Sequence, residues 1–255
     1  MVPTRAAALL GLEAWHHYNT GMLKVKRGAG TESGGKMRCD RKRRRWLQVG
    51  AALCAAAATA AWSEATAADP AVKPIRAFYD ALLAVMKQAK ELGIRGRYDR
   101  LSAPIRAAFD LAAMTRIAVG PEWNSFSLAD QTALTDNFTR MTIATYASRF
   151  DGYSGERFEV EPESEARPTG RIVHTKLIQS NGEPIALNYL LRESGGSWKV
   201  VDIYLTGTIS ELATRRSEFA AILKSGGPGA LIASLQQKTD ALLRGASAEG
   251  AAGPH

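Results

Sequence analysis

From Arg171 to Gly207 the chain reads RIVHTKLIQS NGEPIALNYL LRESGGSWKV VDIYLTG. Three runs of apolar and β-branched residues alternate with polar ones here, and each run ends in turn chemistry. Asn181-Gly182 is a hairpin signal, because both residues tolerate positive φ. Gly195-Gly196 is a second turn, and Gly207 closes the third run. The spacing therefore predicts strands over 171–179, 185–192 and 198–205. A fourth strand precedes them over 156–161, where Phe158 and Val160 alternate with Glu159 and Glu161. Consecutive strands on short loops make an antiparallel meander.

The period is helical on both sides of this block. Ile75, Phe78, Tyr79, Leu82, Val85, Met86, Ala89 and Leu92 recur at spacings of three and four, and Gly93 is read as the stop. Short helical segments follow over 96–110 and 111–119, closed by Gly120-Pro121. Ser127 with Asp130 forms an N-cap pair for a long helix with Leu134, Phe138, Met141, Thr145 and Phe150 on its inner face. After Gly207, the residues Ile209, Leu212, Arg216, Phe219, Ala220 and Leu223 are assigned to one side of a helix that stops at Gly226-Gly227-Pro228. Leu231, Ile232, Leu235 and Leu242 mark the last helix. Helices, a sheet of about four strands, then helices is an α+β plan, with the helices packed on a sheet face.

Charge divides the chain. Of 255 residues with a formal charge of +8, the first 68 carry 11 Lys/Arg against 4 Asp/Glu, and the remainder carry 22 against 21. The near-neutral remainder has no electrostatic footprint for nucleic acid. The basic end reads as an export signal. Arg38 to Arg45 is a basic n-region, Leu47 to Ala61 a short apolar run, and Ala65-Thr66-Ala67-Ala68 a small-residue cleavage site. Arg43-Arg44 also fits a twin-arginine signal. Met37 is a plausible start, which makes 1–36 a leader ahead of the signal at 37–68. The expected mature domain is 69–244, and 245–255 is a small, polar, disordered tail. Cys39 and Cys54 both fall in the leader, so the mature part has no thiol chemistry. No His-Glu-x-x-His, phosphate loop or dinucleotide fingerprint occurs, and no cofactor is expected.

An ordered set of residues carries a resemblance. In the helical part it is Phe109-Asp110, Gly120, Trp123, Gln131, Phe138, Tyr146-Ala147 and Tyr153. In the sheet it is Gly182, Pro184, Tyr189, Leu191-Arg192, Gly196, Trp198-Lys199-Val200 and Asp202, followed by Ile209-Ser210, Arg216, Phe219, Gly226 and Leu231. This set resembles the MlaC, or toluene-tolerance, family of periplasmic phospholipid-binding proteins. Ser154-Gly155-Glu156 and Val119-Gly120-Pro121-Glu122-Trp123 look most like its hopanoid-cluster (HpnM) branch. The resemblance implies a mixed sheet and surrounding helices enclosing an apolar lipid pocket, in the periplasm and without catalysis. It implies a shuttle for phospholipid or hopanoid between an inner-membrane ABC transporter complex and an outer-membrane lipoprotein complex.

The residues suit such a pocket. Val173, Leu177, Leu187, Tyr189, Leu191, Val201, Ile203 and Leu205 alternate along neighbouring strands, and Phe109, Met114, Ile117, Phe138, Met141, Tyr146 and Phe150 oppose them from helices. The same pattern describes a packed core, since alternation reports burial and not a cavity. A filled-core adaptor is therefore an alternative. A small cone-fold enzyme is another, with His174, Asp202 and Tyr189 as base, partner and oxyanion donor, although alternation points His174 away from the other two. Asp202 is expected to satisfy a turn, and Arg216 either to pair with Asp202 or Glu211 or to meet a headgroup.

Overall fold

In a computed structural model, the described residues are 69–249, with side chains through 244. The segments read as leader and export signal, and residues 250–255, lie outside them. Five helices and seven strands follow in the order α1 (Lys73–Lys87), α2 (Ala89–Ala108), α3 (Leu111–Val119), α4 (Leu128–Arg149), β1 (Arg157–Val160), β2 (Glu165–Arg167), β3 (Gly170–Val173), β4 (Thr175–Ile178), β5 (Pro184–Ser194), β6 (Ser197–Leu205), β7 (Ile209–Ser210) and α5 (Glu211–Glu249). A short 3-10 turn, Pro121–Ser125, separates α3 from α4.

The seven strands are four rows with breaks in them. β1 and β2 form one row, β3 and β4 the next, then β5, then β6 with β7 at its end. All pairings are antiparallel. β3 and β4 are two halves of the expected second strand, and their register along β5 is unbroken: Val173 faces Tyr189 and Lys176 faces Ala186. The edge row is interrupted at Glu161–Ser164, so β1 pairs β4 while β2 pairs β3. β6 carries a bulge. Leu190 pairs Asp202, but Leu191 pairs Val200, which leaves Val201 as the extra residue. A bulge inverts the side-chain alternation beyond it.

Local chemistry sets the helix ends. Ser127 Oγ accepts from the Asp130 amide at 3.1 Å and donates to its carboxylate at 2.6 Å, the reciprocal N-cap expected for α4. Asp110 caps α3 by accepting from Ala113 N, and its own amide donates to Val200 O on β6. Gly93, with φ 57 and ψ −178, leaves helical geometry and separates two helical pieces where a stop was expected, and an additional break falls earlier, at Gln88. Gly227, with φ 64 and ψ −163 just ahead of Pro228, likewise divides α5 into two helical pieces at the expected stop, and the second piece runs to Glu249, beyond the expected domain end.

The core lies between one sheet face and helices α1 to α5, where Ile75, Phe78, Leu82, Leu101, Ile105, Leu134, Met141, Ile143, Leu177 and Leu191 are all buried. Two charged side chains, Arg97 and Asp69, tie its margins. Arg97 donates from Nε to Ala147 O at 2.7 Å and from Nη1 to Ala89 O at 2.8 Å, tying α2 to the end of α4. Asp69 accepts from Ser164 N and Oγ, from Arg171 Nη1 and from Ala71 N, all at 2.6–2.9 Å. This pins the start of the domain to the sheet edge through the loop that holds Ser164.

Candidate functional site

An apolar cavity opens between the inner sheet face and α1, α3, α4 and α5. Its volume is about 70 Å³. The sheet supplies Phe158, Leu187, Tyr189, Ile203 and Leu205; the helices supply Tyr79, Leu82, Met114, Phe138, Thr142, Thr145, Tyr146, Arg149, Glu211, Leu212 and Arg215; Phe150 follows α4. Of the residues that alternation and helical spacing pointed inward, Met114, Phe138, Tyr146, Phe150, Leu187, Tyr189, Ile203 and Leu205 thus reach the cavity.

The others do not. Phe109, Met141, Val173, Leu177 and Leu191 are buried in the surrounding core. Ile117 is half-buried and Val201 lies on the opposite sheet face, where they pack with Ile172 and Leu190. For Val201 the cause is the bulge, which puts Val200 on the inner face instead. Strict alternation along 201, 203 and 205 cannot anticipate it.

The cavity floor is aromatic with a short polar chain through it. Tyr79 stacks on Phe158 with centroids 4.3 Å apart, Tyr146 stacks on Phe150 at 5.8 Å, and Phe78 meets Tyr146 edge-on at 5.3 Å. The Tyr79 hydroxyl lies 2.7 Å from Thr175 Oγ1 and 3.0 Å from the Tyr189 hydroxyl, and Thr175 donates to Leu187 O. Each of these buried hydroxyls has a hydrogen-bond partner. Burial raises all three phenol pKa values, those of Tyr79, Tyr146 and Tyr189, and the rings stay neutral. This chain offers hydrogen bonds without charge.

The lining also carries charge, from Arg149, Glu211 and Arg215. Arg215 is buried beside the cavity and donates from Nη2 and Nε to Glu211 Oε1 at 2.9 and 3.2 Å. Burial lowers the pKa of Arg149, Glu211 draws it back up, and Arg215 lowers it further. The sequence reading placed Arg216 on the inner stripe, which is a correction of one residue. Leu212, Arg215 and Phe219 are the buried set, whereas Arg216 and Ala220 are exposed. Arg216 lies over Gly120 instead, where a Cβ would stand 2.8 Å from its Nε.

The three residues weighed for acid–base chemistry have separate partners. His174 Nε2 sits 3.1 Å from Glu165 Oε2 at the sheet surface. Asp202 accepts from Ser210 Oγ at 2.6 Å, Ile203 N at 2.8 Å and Leu212 N at 3.2 Å, capping the start of α5. Tyr189 belongs to the cavity chain. Among the described residues no group of three or more His, Cys, Asp or Glu can hold a metal ion, and no helix is long and apolar enough to cross a membrane.

The family model described as MlaC protein matches residues 76–237. A phospholipid-binding protein from Ralstonia solanacearum, solved in complex with a phospholipid, is 27% identical with a TM-score of 0.60, the match covering 69% of this chain and 99% of that one. No curated protein matches. The family match spans well over half of the sequence, and the chain belongs to the MlaC family.

Proposed function

We propose that this protein is a periplasmic lipid carrier that holds the tails of one phospholipid between the inner sheet face and α1, α3, α4 and α5. It passes the lipid between an inner-membrane ABC transporter complex and an outer-membrane lipoprotein complex, and catalyses nothing. The observation that carries the reading is a mostly apolar cavity with a small charged cluster in its lining, in a chain of the MlaC family. The phospholipid held by the Ralstonia protein supports it, as does the export signal read over 37–68.

The energetics demand enclosure. A buried methylene is worth about 0.8 kcal/mol, so two tails of about 15 methylenes each would cost roughly 24 kcal/mol if left in water. Met114, Phe138, Tyr146, Phe150, Leu187, Tyr189, Ile203 and Leu205, joined by Tyr79, Leu82 and Phe158, are the cargo contacts of this proposal. The cavity of about 70 Å³ is well short of the roughly 300–1,000 Å³ that drug-sized ligands occupy. Loading therefore parts the helices from the sheet. Methionine at 114 and the stacked rings suit walls that repack around mobile chains.

A second cargo has a specific sequence observation behind it. The segments Ser154–Glu156 and Val119–Trp123 look like the hopanoid-cluster branch, and a rigid polycycle would fill the same walls. Mass spectrometry of lipids extracted from the protein purified from a periplasm tests both. A stoichiometric phospholipid establishes the first reading and a hopanoid the second. Protein that is lipid-free and takes up nothing from vesicles would overturn both in favour of the filled-core adaptor.

A further inference from the structure

The apolar wall ends in cations that the lipid tails do not need. Arg149 closes α4 and Arg215 sits one turn into α5, and both line the cavity with Glu211. Arg215 is satisfied by Glu211. Arg149 is half-buried, yet among the described residues it has neither an ion pair nor a side-chain hydrogen bond. Among the lining residues two cations, Arg149 and Arg215, thus meet one carboxylate, Glu211, leaving one positive charge in excess.

A partly buried cation without an anion is expensive, and proteins normally pair such groups. The missing partner must arrive with the cargo, carry about one negative charge and sit where the apolar wall meets solvent. A phosphodiester meets all three conditions, and its two free oxygens match the planar fork of a guanidinium. We propose that Arg149, backed by Arg215, binds the phosphate of a phosphodiester lipid in the cavity. The inference rests on the carrier reading and deepens it. It makes the headgroup part of what is recognised, and a cargo without phosphate leaves Arg149 unpaired. Sequence spacing carried a faint signal for this site: Arg149 continues the row Phe138, Met141, Thr142, Thr145, Tyr146 by one more step of three to four, where a solvent-facing arginine would fall off that row.

The test uses the full chain purified from a periplasm and stripped of lipid. It is offered vesicles doped either with phosphatidylglycerol or with diacylglycerol of the same acyl chains. The expected preference for the phosphodiester is about 10- to 100-fold, the worth of one or two charge-assisted hydrogen bonds. Arg149→Gln should bring that ratio to within a few-fold of one, and Arg149→Lys, which keeps the charge without the fork, should fall between. A wild-type ratio near one overturns the proposal and leaves the carrier reading intact, and so does a preference that survives in a folded Arg149→Gln. If Arg149→Gln does not fold, the wild-type ratio and Arg149→Lys decide. Uptake of neither lipid defeats the carrier reading itself. Inorganic phosphate alone separates a headgroup site from a free-anion site: tight phosphate binding that does not compete with lipid would also overturn the assignment.

Discussion

Leu187 and Leu191 lie four residues apart on the same face of β5, with exposures of 4% and 0%. Burial alone treats them alike, but only Leu187 borders the cavity. Leu→Ala removes three carbons at either site, a transfer loss of about 2.4 kcal/mol at 0.8 per carbon. At Leu191 the neighbours close on every side, so truncation also opens a new void of roughly 80 Å³, which at 24 cal/mol per Å³ adds about 2 kcal/mol. At Leu187 the space merges with one already present, and its lining already lacks partners on that side. The expected losses in the lipid-free protein are therefore about 4 kcal/mol for Leu191→Ala and about 2 kcal/mol for Leu187→Ala. For a domain of this size the difference is about 4–8 °C in Tm. Urea unfolding followed by circular dichroism, with matching m-values, measures both. Equal losses would mean that the wall beside Leu187 is packed like the core, and the cavity argument would fail with it.

Asp69→Asn should destabilise the domain by about 1–2 kcal/mol at neutral pH, because four donors converge on the carboxylate. Desolvation raises the Asp69 pKa, but hydrogen bonds from Ser164 and Ala71 and the Arg171 charge outweigh it and leave it below 3.8; the stabilisation is thus complete above that value and is lost as pH falls below it. Thermal unfolding of both proteins across pH 2–7 (roughly the carboxylate range and above) should show the two curves converging at the acid end, and a constant gap would refute the assignment. Gly170 has φ 147, and a Cβ there would collide with the Leu191 carbonyl across the β3–β5 pair, so Gly170→Ala should cost at least about 2 kcal/mol through strain and a disturbed ladder; a Tm within a degree of wild type would contradict the register. Tyr79→Phe leaves Thr175 and Tyr189 with one partner fewer in a buried chain and should cost about 1–3 kcal/mol, and a neutral result in urea unfolding would show that water had replaced the hydroxyl.

Much of the fold is written locally. The stripe from Ile75 to Met86, the Ser127–Asp130 cap and the glycine turns at 182, 195 and 196 each depend on neighbours within a few residues, and each forms as read. The four strand rows follow from the same local signals. What needs the tertiary structure is the interruption of those rows: the skip at Glu161–Ser164 and the bulge at Val201 arise where two rows of unequal length must stay paired. The site is legible only in part for a related reason. Period two separates inward from outward, so Leu187, Tyr189 and Leu191 read alike, but what stands opposite each is set by α4 and α5. The helix after β7 shows the same limit in one step: Arg215 and Arg216 fit an apolar stripe about equally well on spacing, and the turn at which Asp202 caps the helix selects Arg215.

For the proposed carrier, a small empty cavity is what the energetics require. An apolar void of about 700 Å³, standing ready for two tails, would cost roughly 17 kcal/mol at 24 cal/mol per Å³. That exceeds the whole stability of an ordinary domain, about 5–15 kcal/mol, and an apolar lining gives water too few partners to fill the space instead. An empty carrier must therefore collapse on itself, and about 70 Å³ brings the same cost down to about 2 kcal/mol. Collapse needs side chains that fill space well in two arrangements. Flat rings stacked in pairs, Tyr79 on Phe158 and Tyr146 on Phe150, can slide apart where branched aliphatics would have to unlock. It also needs wall segments that move without unfolding, and the kinks at Gly93 in α2 and Gly227 in α5 divide those helices into shorter rigid pieces. The tail-burial energy that draws a lipid in, roughly 24 kcal/mol, is then larger than the packing it displaces, so binding and opening are one process.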